Sequence, residues 1–242
     1  MKKHSKALLL SMCAVLLVVG SVFGTIAYLT DTEAVTNTFS VGRVGLKLVE
    51  ADVNEMGQPL KDGKVVEVKD VVVKDLLTYA RWQPTKGDEN QKYHLLPGHT
   101  YIKDPTVTVD AGSEESYVRM MVTVTFASAL TDAQLATSLD SIFLGYDAGK
   151  WEREDKTVSA DQKTITYEYR YYTTVDGKTD AGVNADQPLE PLFSSIKVPG
   201  EYTNEQIAIL GGMEIKVEAH AIQAAGFETE DAAWIAFGEQ HK

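Results

Sequence analysis

The chain has 242 residues and carries 35 acidic against 23 basic side chains, a net charge of −12 at pH 7. Because nucleic acids and anionic membranes are bound through Lys and Arg, so acidic a surface argues against both as partners. The single cysteine, Cys13, excludes an intramolecular disulfide and a cysteine-based metal site, so the fold must be stabilised by packing.

The first predicted element is an apolar N-terminal segment. Lysines in the first six residues precede a run over residues 7–29 that contains no charged side chain, the pattern of a membrane-targeting signal. Small residues, Thr25 and Ala27, occupy the two positions that a signal peptidase inspects, so we expect cleavage between Ala27 and Tyr28 and a signal peptide over residues 1–27. The alternative is an uncleaved single-span anchor, because 23 apolar residues are long enough to cross a bilayer. The membrane is a partner only through this segment.

Cleavage would leave residues 28–242 with 20 basic and 35 acidic side chains, a net charge of −15. We expect these residues to form a single β domain. Residues 28–41 at its start read as an exposed strand with alternating apolar positions, Leu29, Val35, Phe39 and Val41. A newly made N-terminal strand can pair with any open sheet edge, and pairing head-to-tail with a neighbouring copy would propagate as a filament.

Three segments alternate between apolar and polar residues, as half-buried strands do. Their apolar sets are Val118, Met120, Val122, Val124 and Phe126; Ile165, Tyr167, Tyr169 and Tyr171; and Met213, Ile215, Val217, Ala219 and Ala221. Weaker strand candidates are residues 38–49, 65–73, 76–82, 106–109 and 141–146. Residues 152–163 and 176–187 read as polar loops. With no helix–strand alternation and no internal repeat, the pattern predicts an all-β fold, an antiparallel β-sandwich with a few short peripheral helices behind an N-terminal signal helix.

Two capping boxes each predict a short helix, because a threonine and a glutamine three residues later satisfy each other's free backbone amides. They are Thr131 with Gln134 and Thr203 with Gln206. A third helix is expected to begin after Thr229, to bury Ala233, Trp234 and Phe237, and to end at Gly238.

No pattern in the sequence predicts a catalytic residue, a cofactor site or a metal site, so we do not expect an enzyme. His94 and His99 are five residues apart across a Pro-Gly pair, whereas the zinc-protease motif needs two histidines four apart on a helix. They read as loop residues, and His220 and His241 as surface histidines. Arg119 is expected to pair across strands with Glu168 or Glu218.

Two alternatives concern ligands. Acidic residues of the loop 176–187 could hold calcium, but their order misses the spacing of a calcium-binding loop. The tyrosines from Tyr167 to Tyr172 could stack on a glycan, although at a period of two, three of the four face the core.

Several motifs, in order, carry a resemblance to a known family. They are GTIAYLTD at 24–31, VTNTFSVG at 35–42, LPG at 96–98, KDP at 103–105, YVR at 117–119, VEAHAIQAAGF at 217–227 and AAW at 232–234. Together they resemble the TasA/camelysin (CalY) family of exported proteins of Gram-positive bacteria, whose signals are processed by a SipW-type signal peptidase. The matches extend over nearly the whole chain.

The resemblance implies a jelly-roll sandwich that is secreted to the extracellular matrix or cell surface and assembles into biofilm-matrix fibres. Residues 28–41 of one copy would complete the fold of the next, so the partners would be the chain itself, the SipW-type peptidase and an accessory matrix protein. Two other functions stay open. One is a monomeric surface adhesin or antigen, and the other is a secreted metallopeptidase, as described for camelysin-like members.

Overall fold

The computed structural model describes residues 30–32, 43–61, 64–65, 93–136, 142–144, 146–154 and 156–241. Within these ranges the regular secondary structure is mostly β-strand, in antiparallel sheets, with three short helices. The strands are β1 (Thr30–Thr32), β2 (Leu46–Val49), β3 (Leu60–Lys61), β4 (Lys64–Val65), β5 (Thr100–Ile102), β6 (Thr106–Val109), β7 (Ser116–Thr125), β8 (Phe143–Leu144), β9 (Trp151–Arg153), β10 (Thr157–Val158), β11 (Thr164–Tyr171), β12 (Gln187–Pro188), β13 (Ser195–Lys197) and β14 (Glu214–Gln223). The helices are α1 (Asp132–Ala136), α2 (Asn204–Leu210) and α3 (Glu230–Gln240).

The largest sheet has six strands in the order β1-β14-β7-β11-β10, with β9 also paired to β11. Its three long strands, β7, β11 and β14, are the three segments with the clearest alternation in the sequence, so that prediction is confirmed. The register places Tyr167 opposite Val122 and Val122 opposite Val217. Apolar residues of all three strands therefore share one face of the sheet.

Smaller sheets pack on that apolar face. They have the orders β12-β6-β2 and β5-β13-β8, and β3 pairs with β4 as a separate hairpin. One buried cluster joins the large sheet to the two three-stranded sheets. Its fully buried members include Val107, Val118, Met120, Trp151 and Leu192. Burial of each large apolar side chain stabilises the fold by ~1.5–3 kcal/mol, so this cluster is the main source of stability.

The weaker strand predictions are confirmed in part. Strand β6 occupies residues 106–109 as expected, whereas residues 38–49 and 141–146 contribute only the short strands β2 and β8 within the described residues. Of residues 65–73 and 76–82, only Val65 lies in a described range. The expected loop 152–163 contains β9 and β10, which pair with β11. Sequence alternation misses such strands because a short strand on an exposed edge can be polar on both faces.

Both capping boxes form. Gln206 N donates to Thr203 Oγ1 and Thr203 N donates to Gln206 Oε1 at the start of α2. Thr131 and Gln134 make the same reciprocal contacts at the start of α1. Helix α3 begins after Thr229 as expected but continues through Gly238 to Gln240, so the predicted end is wrong.

A glycine commonly ends a helix by adopting a positive φ. Gly238 is not among the described residues with a positive φ, and α3 continues through it. Of the helices in the described part of the chain, none is long and apolar enough to cross a membrane. The predicted signal helix over residues 1–27 lies outside the described residues.

Candidate assembly edge of the six-stranded sheet

The first described strand, β1, forms one edge of the six-stranded sheet. Thr30, Asp31 and Thr32 pair with Ile222, Ala221 and His220 of β14, in antiparallel orientation. Strand β14 is ten residues long, and among the described strands β1 is its only partner on that side. The paired stretch is the start of the segment that the sequence predicts to be a donor strand.

Core-facing residues of β14 differ in burial along the strand. Ala219 and Ala221, near β1, are 2% and 0% exposed. Ile215 and Val217, which lie beyond the end of β1, are only half-buried although they pack against the main core, and so is Met213, the residue just before β14. The apolar face of the sheet is therefore incompletely covered along this part of the β14 edge.

Helix α3 covers the opposite face of the same edge. Ala233, Trp234 and Phe237 of α3 form a second buried cluster with Ile222 of β14. The Arg119 guanidinium of β7 lies 4.3 Å from the centre of the Trp234 ring and 5.0 Å from that of Phe237. Cation–π contacts of this kind stabilise the docked helix.

Charged side chains continue this contact across the sheet. Arg119 Nη1 is 3.3 Å from Glu168 Oε1, so the predicted cross-strand pair with Glu168 is confirmed. Arg170 Nε is 2.9 Å from the same oxygen, and Arg170 Nη1 is 2.5 Å from Asp231 Oδ1 of α3. Burial lowers the pKa of Arg119, and Glu168 only partly offsets this. Burial opposes the charge of Arg170, but its contacts with Asp231 and Glu168 raise its pKa. The ion pair with Asp231 links β11 to α3.

His220 lies beneath α3 rather than on an open surface, so its prediction as a surface histidine is wrong. Its ring stacks on Phe237 with centres 4.8 Å apart, and its Nδ1 accepts a hydrogen bond from Arg119 Nε at 3.3 Å. Burial, with the positive charge of Arg119, lowers the pKa of His220 to about 4. His241 is exposed, as expected, and its ring stacks on Phe237 at 4.2 Å. The alternation of β14 could not reveal the helix that covers His220.

A second polar cluster joins the residues that follow β2 to the residues that precede β6. The sequence contains the KDP motif at 103–105, but no pattern in it predicted a cluster there. Lys103 Nζ is 2.8 Å from both carboxylate oxygens of Glu50. The neighbouring Asp104 is 2% exposed and accepts a hydrogen bond from Ala51 N at 2.8 Å. Burial raises the pKa of Asp104 to about 7. These contacts tie the chain after β2 to the segment between β5 and β6.

His94 and His99 have separate structural contacts. His99 Nε2 lies 3.1 Å from the carbonyl oxygen of Met56, and its ring packs on Tyr101 with centres 4.7 Å apart. The Tyr101 hydroxyl donates to the carbonyl oxygen of His94 at 2.6 Å. In the parts of the chain that the structure describes, no group of three or more His, Cys, Asp or Glu side chains is placed to hold a metal.

The geometry gives little support to either ligand alternative, a glycan on the tyrosines of β11 or calcium in the loop 176–187. Tyr167, Tyr169 and Tyr171 are buried, and Tyr172 alone of the four is exposed, at 56%. In the acidic loop, Asp186 accepts hydrogen bonds from Ala111 N and Lys47 Nζ, at 2.9 and 3.1 Å. That carboxylate holds the loop against β2 and β6.

The predicted cleavage and assembly residues lie outside the described residues. They are Ala27, Tyr28, Leu29, Val35, Phe39 and Val41. Only Thr30–Thr32 of the predicted donor strand is described. Comparison of the chain with protein-family models, with curated proteins and with solved structures finds no significant match.

Proposed function

We propose that this chain is a secreted structural protein of the TasA/camelysin type, with a jelly-roll sandwich over residues 28–242. In this proposal a SipW-type signal peptidase cleaves between Ala27 and Tyr28. The mature protein then assembles, alone or with an accessory matrix protein, into extracellular fibres of a biofilm matrix.

The pairing of β1 with β14 is the observation that supports this proposal most. The chain's leading strand occupies the edge of the largest sheet, and its described contacts with that edge are backbone pairings. The same strand of another copy would make the same pairings, so exchange between copies changes few contacts and costs mainly association entropy. Cleavage upstream would free the end of the strand for that exchange.

Each copy carries one leading strand and one β14 edge. A copy that donates its strand to a second copy keeps its own edge available for a third, so the contact is head-to-tail and open. Leu29, Val35, Phe39 and Val41 are the proposed anchors of the donated strand. Each anchor would contribute ~1.5–3 kcal/mol when fully buried, and together the anchors would oppose an entropy cost of association of roughly 4–15 kcal/mol.

The test uses mature protein, residues 28–242, examined by electron microscopy and sedimentation over a range of concentrations. We expect filaments that increase with concentration. Deletion of residues 28–41, or the double substitution Val35→Asp and Phe39→Asp, should abolish them and leave a folded monomer by circular dichroism.

A matched control places the same charges on the other face of the strand. Thr36→Asp with Thr38→Asp alters polar positions that alternate with the anchors, so filaments should persist. Monomers of the unaltered mature protein at every concentration would favour the adhesin function instead. Casein cleavage that is lost on chelation would favour the metallopeptidase.

A further inference from the structure

We propose that the side chains of Lys103 and Glu50 condense into an isopeptide bond, an amide between Nζ of the lysine and Cδ of the glutamate. The bond is a modification of the folded chain and does not depend on the proposed assembly. Asp104, the next residue of the KDP motif, is the proton donor for the condensation.

The amine and the carboxylate are already in contact. Nζ of Lys103 lies 2.8 Å from Oε1 and 2.8 Å from Oε2 of Glu50. Since the carbon–oxygen bonds are about 1.2 Å long, an amine so placed is roughly 3 Å from Cδ, which is a near-attack distance. Rotation of the carboxylate about its Cγ–Cδ bond turns the face of Cδ towards the amine.

This ion pair is buried, which is uncommon for a lysine. The side chains of Lys103 and Glu50 are 7% and 20% exposed. Lys216 and Glu218 make a pair of nearly the same length, 2.7 Å, but their side chains are 67% and 37% exposed. Two charges removed from water lose hydration that their attraction repays only in part. Because an amide carries neither charge, burial favours the condensation at Lys103 and not at Lys216.

Asp104 can supply the proton that the reaction needs. It is 2% exposed, and its Oδ1 accepts a hydrogen bond from Ala51 N at 2.8 Å. Burial, reinforced by the charge of Glu50, raises the pKa of Asp104 to about 7, and the charge of Lys103 acts on the same carboxyl. The group is therefore close to the ion pair and holds a proton up to about neutral pH. A general acid works best when its pKa is near the operating pH.

The surroundings of the pair favour the loss of water. Ala51 and Val53 form a buried cluster, against which Tyr93 and Ile102 pack. Condensation of a free amine with a free carboxylate is unfavourable in water. Groups held in contact, however, react as if present at concentrations of about 10⁵–10⁸ M, which favours the bond within the folded chain.

The condensation balances without an oxidant or a co-reactant. One proton of the Lys103 ammonium passes to the Glu50 carboxylate, which leaves both groups neutral. The Nζ lone pair then forms a bond to Cδ, and a carbon–oxygen bond of the carboxyl breaks. Asp104 gives its proton to the departing oxygen, which leaves as water, and recovers a proton from Nζ. The products are one neutral amide and one water molecule.

The bond provides a covalent constraint in a chain that has no disulfide. The single cysteine, Cys13, lies before the expected cleavage position. The isopeptide bond joins the residue after β2 to the segment between β5 and β6, at positions 53 apart in sequence. Closing a loop of that length restricts the unfolded chain and so stabilises the folded state, as a disulfide does.

Mass spectrometry of the purified chain tests the proposal. We expect an intact mass that is lower, by one water molecule, than the mass calculated from the observed N-terminus. Protease digestion should release a branched peptide that joins Glu50 to Lys103. Lys103→Arg should restore the calculated mass, because a guanidinium keeps the ion pair but stays protonated and cannot attack. Circular dichroism checks that this variant folds.

Lys216→Arg is the matched control, because Lys216 makes the same kind of ion pair on the exposed surface. It should retain both the lower mass and the branched peptide. Asp104→Asn keeps an acceptor for Ala51 N but has no carboxyl proton. It should slow formation of the bond after refolding by ~10²-fold or more, and an unchanged rate would overturn the role of Asp104.

Separate, unmodified peptides containing Glu50 and Lys103, after the folded chain has been held at neutral pH for days, would overturn the proposal. A lower mass that persists in Lys103→Arg would do the same, because the water would then be lost elsewhere, as by cyclisation at Asp176. Neither result depends on whether the mature protein forms filaments.

Discussion

Burial opposes the ionisation of two side chains, Asp104 and His220. Because one is an acid and the other a base, the stability that each contributes changes in opposite directions with pH. The pKa of Asp104 is about 7 in the folded protein, above its ordinary value near 3.8, so the folded state holds a proton that the unfolded state has lost between these values. Stability from this group is therefore present below pH ~4 and is lost as the pH rises towards 7. The difference is at most on the order of 4 kcal/mol.

Asp104→Asn should remove this pH dependence. Asparagine cannot ionise, and its carbonyl oxygen can still accept the hydrogen bond from Ala51 N. Denaturant titrations at each pH give the free energy of unfolding of the variant and of the unaltered protein. The difference, variant minus unaltered protein, should become more positive from about pH 4.5 to about 7.5. Parallel pH profiles for the two proteins would show that Asp104 is ionised in the fold.

His220 has the opposite dependence. Its pKa is about 4 in the folded protein, below its ordinary value of 6.5, so the unfolded state gains a proton first as the pH falls. Stability from this group is present above pH ~6.5 and is lost as the pH falls to 4. We expect the His220 ring to titrate with a midpoint near 4 by nuclear magnetic resonance. A midpoint near 6.5 would mean that α3 does not cover the ring.

At the scale of elements, α3 is held mainly by Trp234. Its ring is buried, contacts Arg119 and Phe237, and donates through Nε1 to Glu230 at 2.9 Å. Trp234→Ala should therefore destabilise the fold by about 3–5 kcal/mol in thermal or denaturant unfolding.

Ile235→Ala is the matched control for that prediction. Ile235 is the next residue of α3 and is 65% exposed, so its truncation should change stability by less than ~0.5 kcal/mol. Similar losses for Trp234→Ala and Ile235→Ala would contradict the packing of α3 on β7 and β14.

Local signals in the sequence predicted those elements whose physics is local. Strict alternation gave β7, β11 and β14, and reciprocal capping gave the starts of α1 and α2. The environments of His220 and Asp104 depend on segments distant in sequence, the helix α3 and the chain after β2. No pattern around either residue indicates its burial, so the sequence alone could not predict their altered pKa values.

At the scale of the whole molecule, the sequence predicted only one of the two strands that the proposed assembly would join. The alternating apolar residues of 28–41 suggested a strand to be donated, whereas the proposed acceptor edge was found only from the order β1-β14-β7. That order is a consequence of topology, which local patterns do not reveal. The half-buried side chains of Met213, Ile215 and Val217 mark that edge, and their sequence is indistinguishable from that of a fully covered strand.

The most direct measurement of strand exchange is a high-resolution electron cryomicroscopy structure of filaments grown from mature protein. The account predicts density for residues 28–41 of one copy along the β14 edge of the next. Filaments in which the β14 edge borders solvent, or in which the leading strand stays entirely on its own chain, would contradict it.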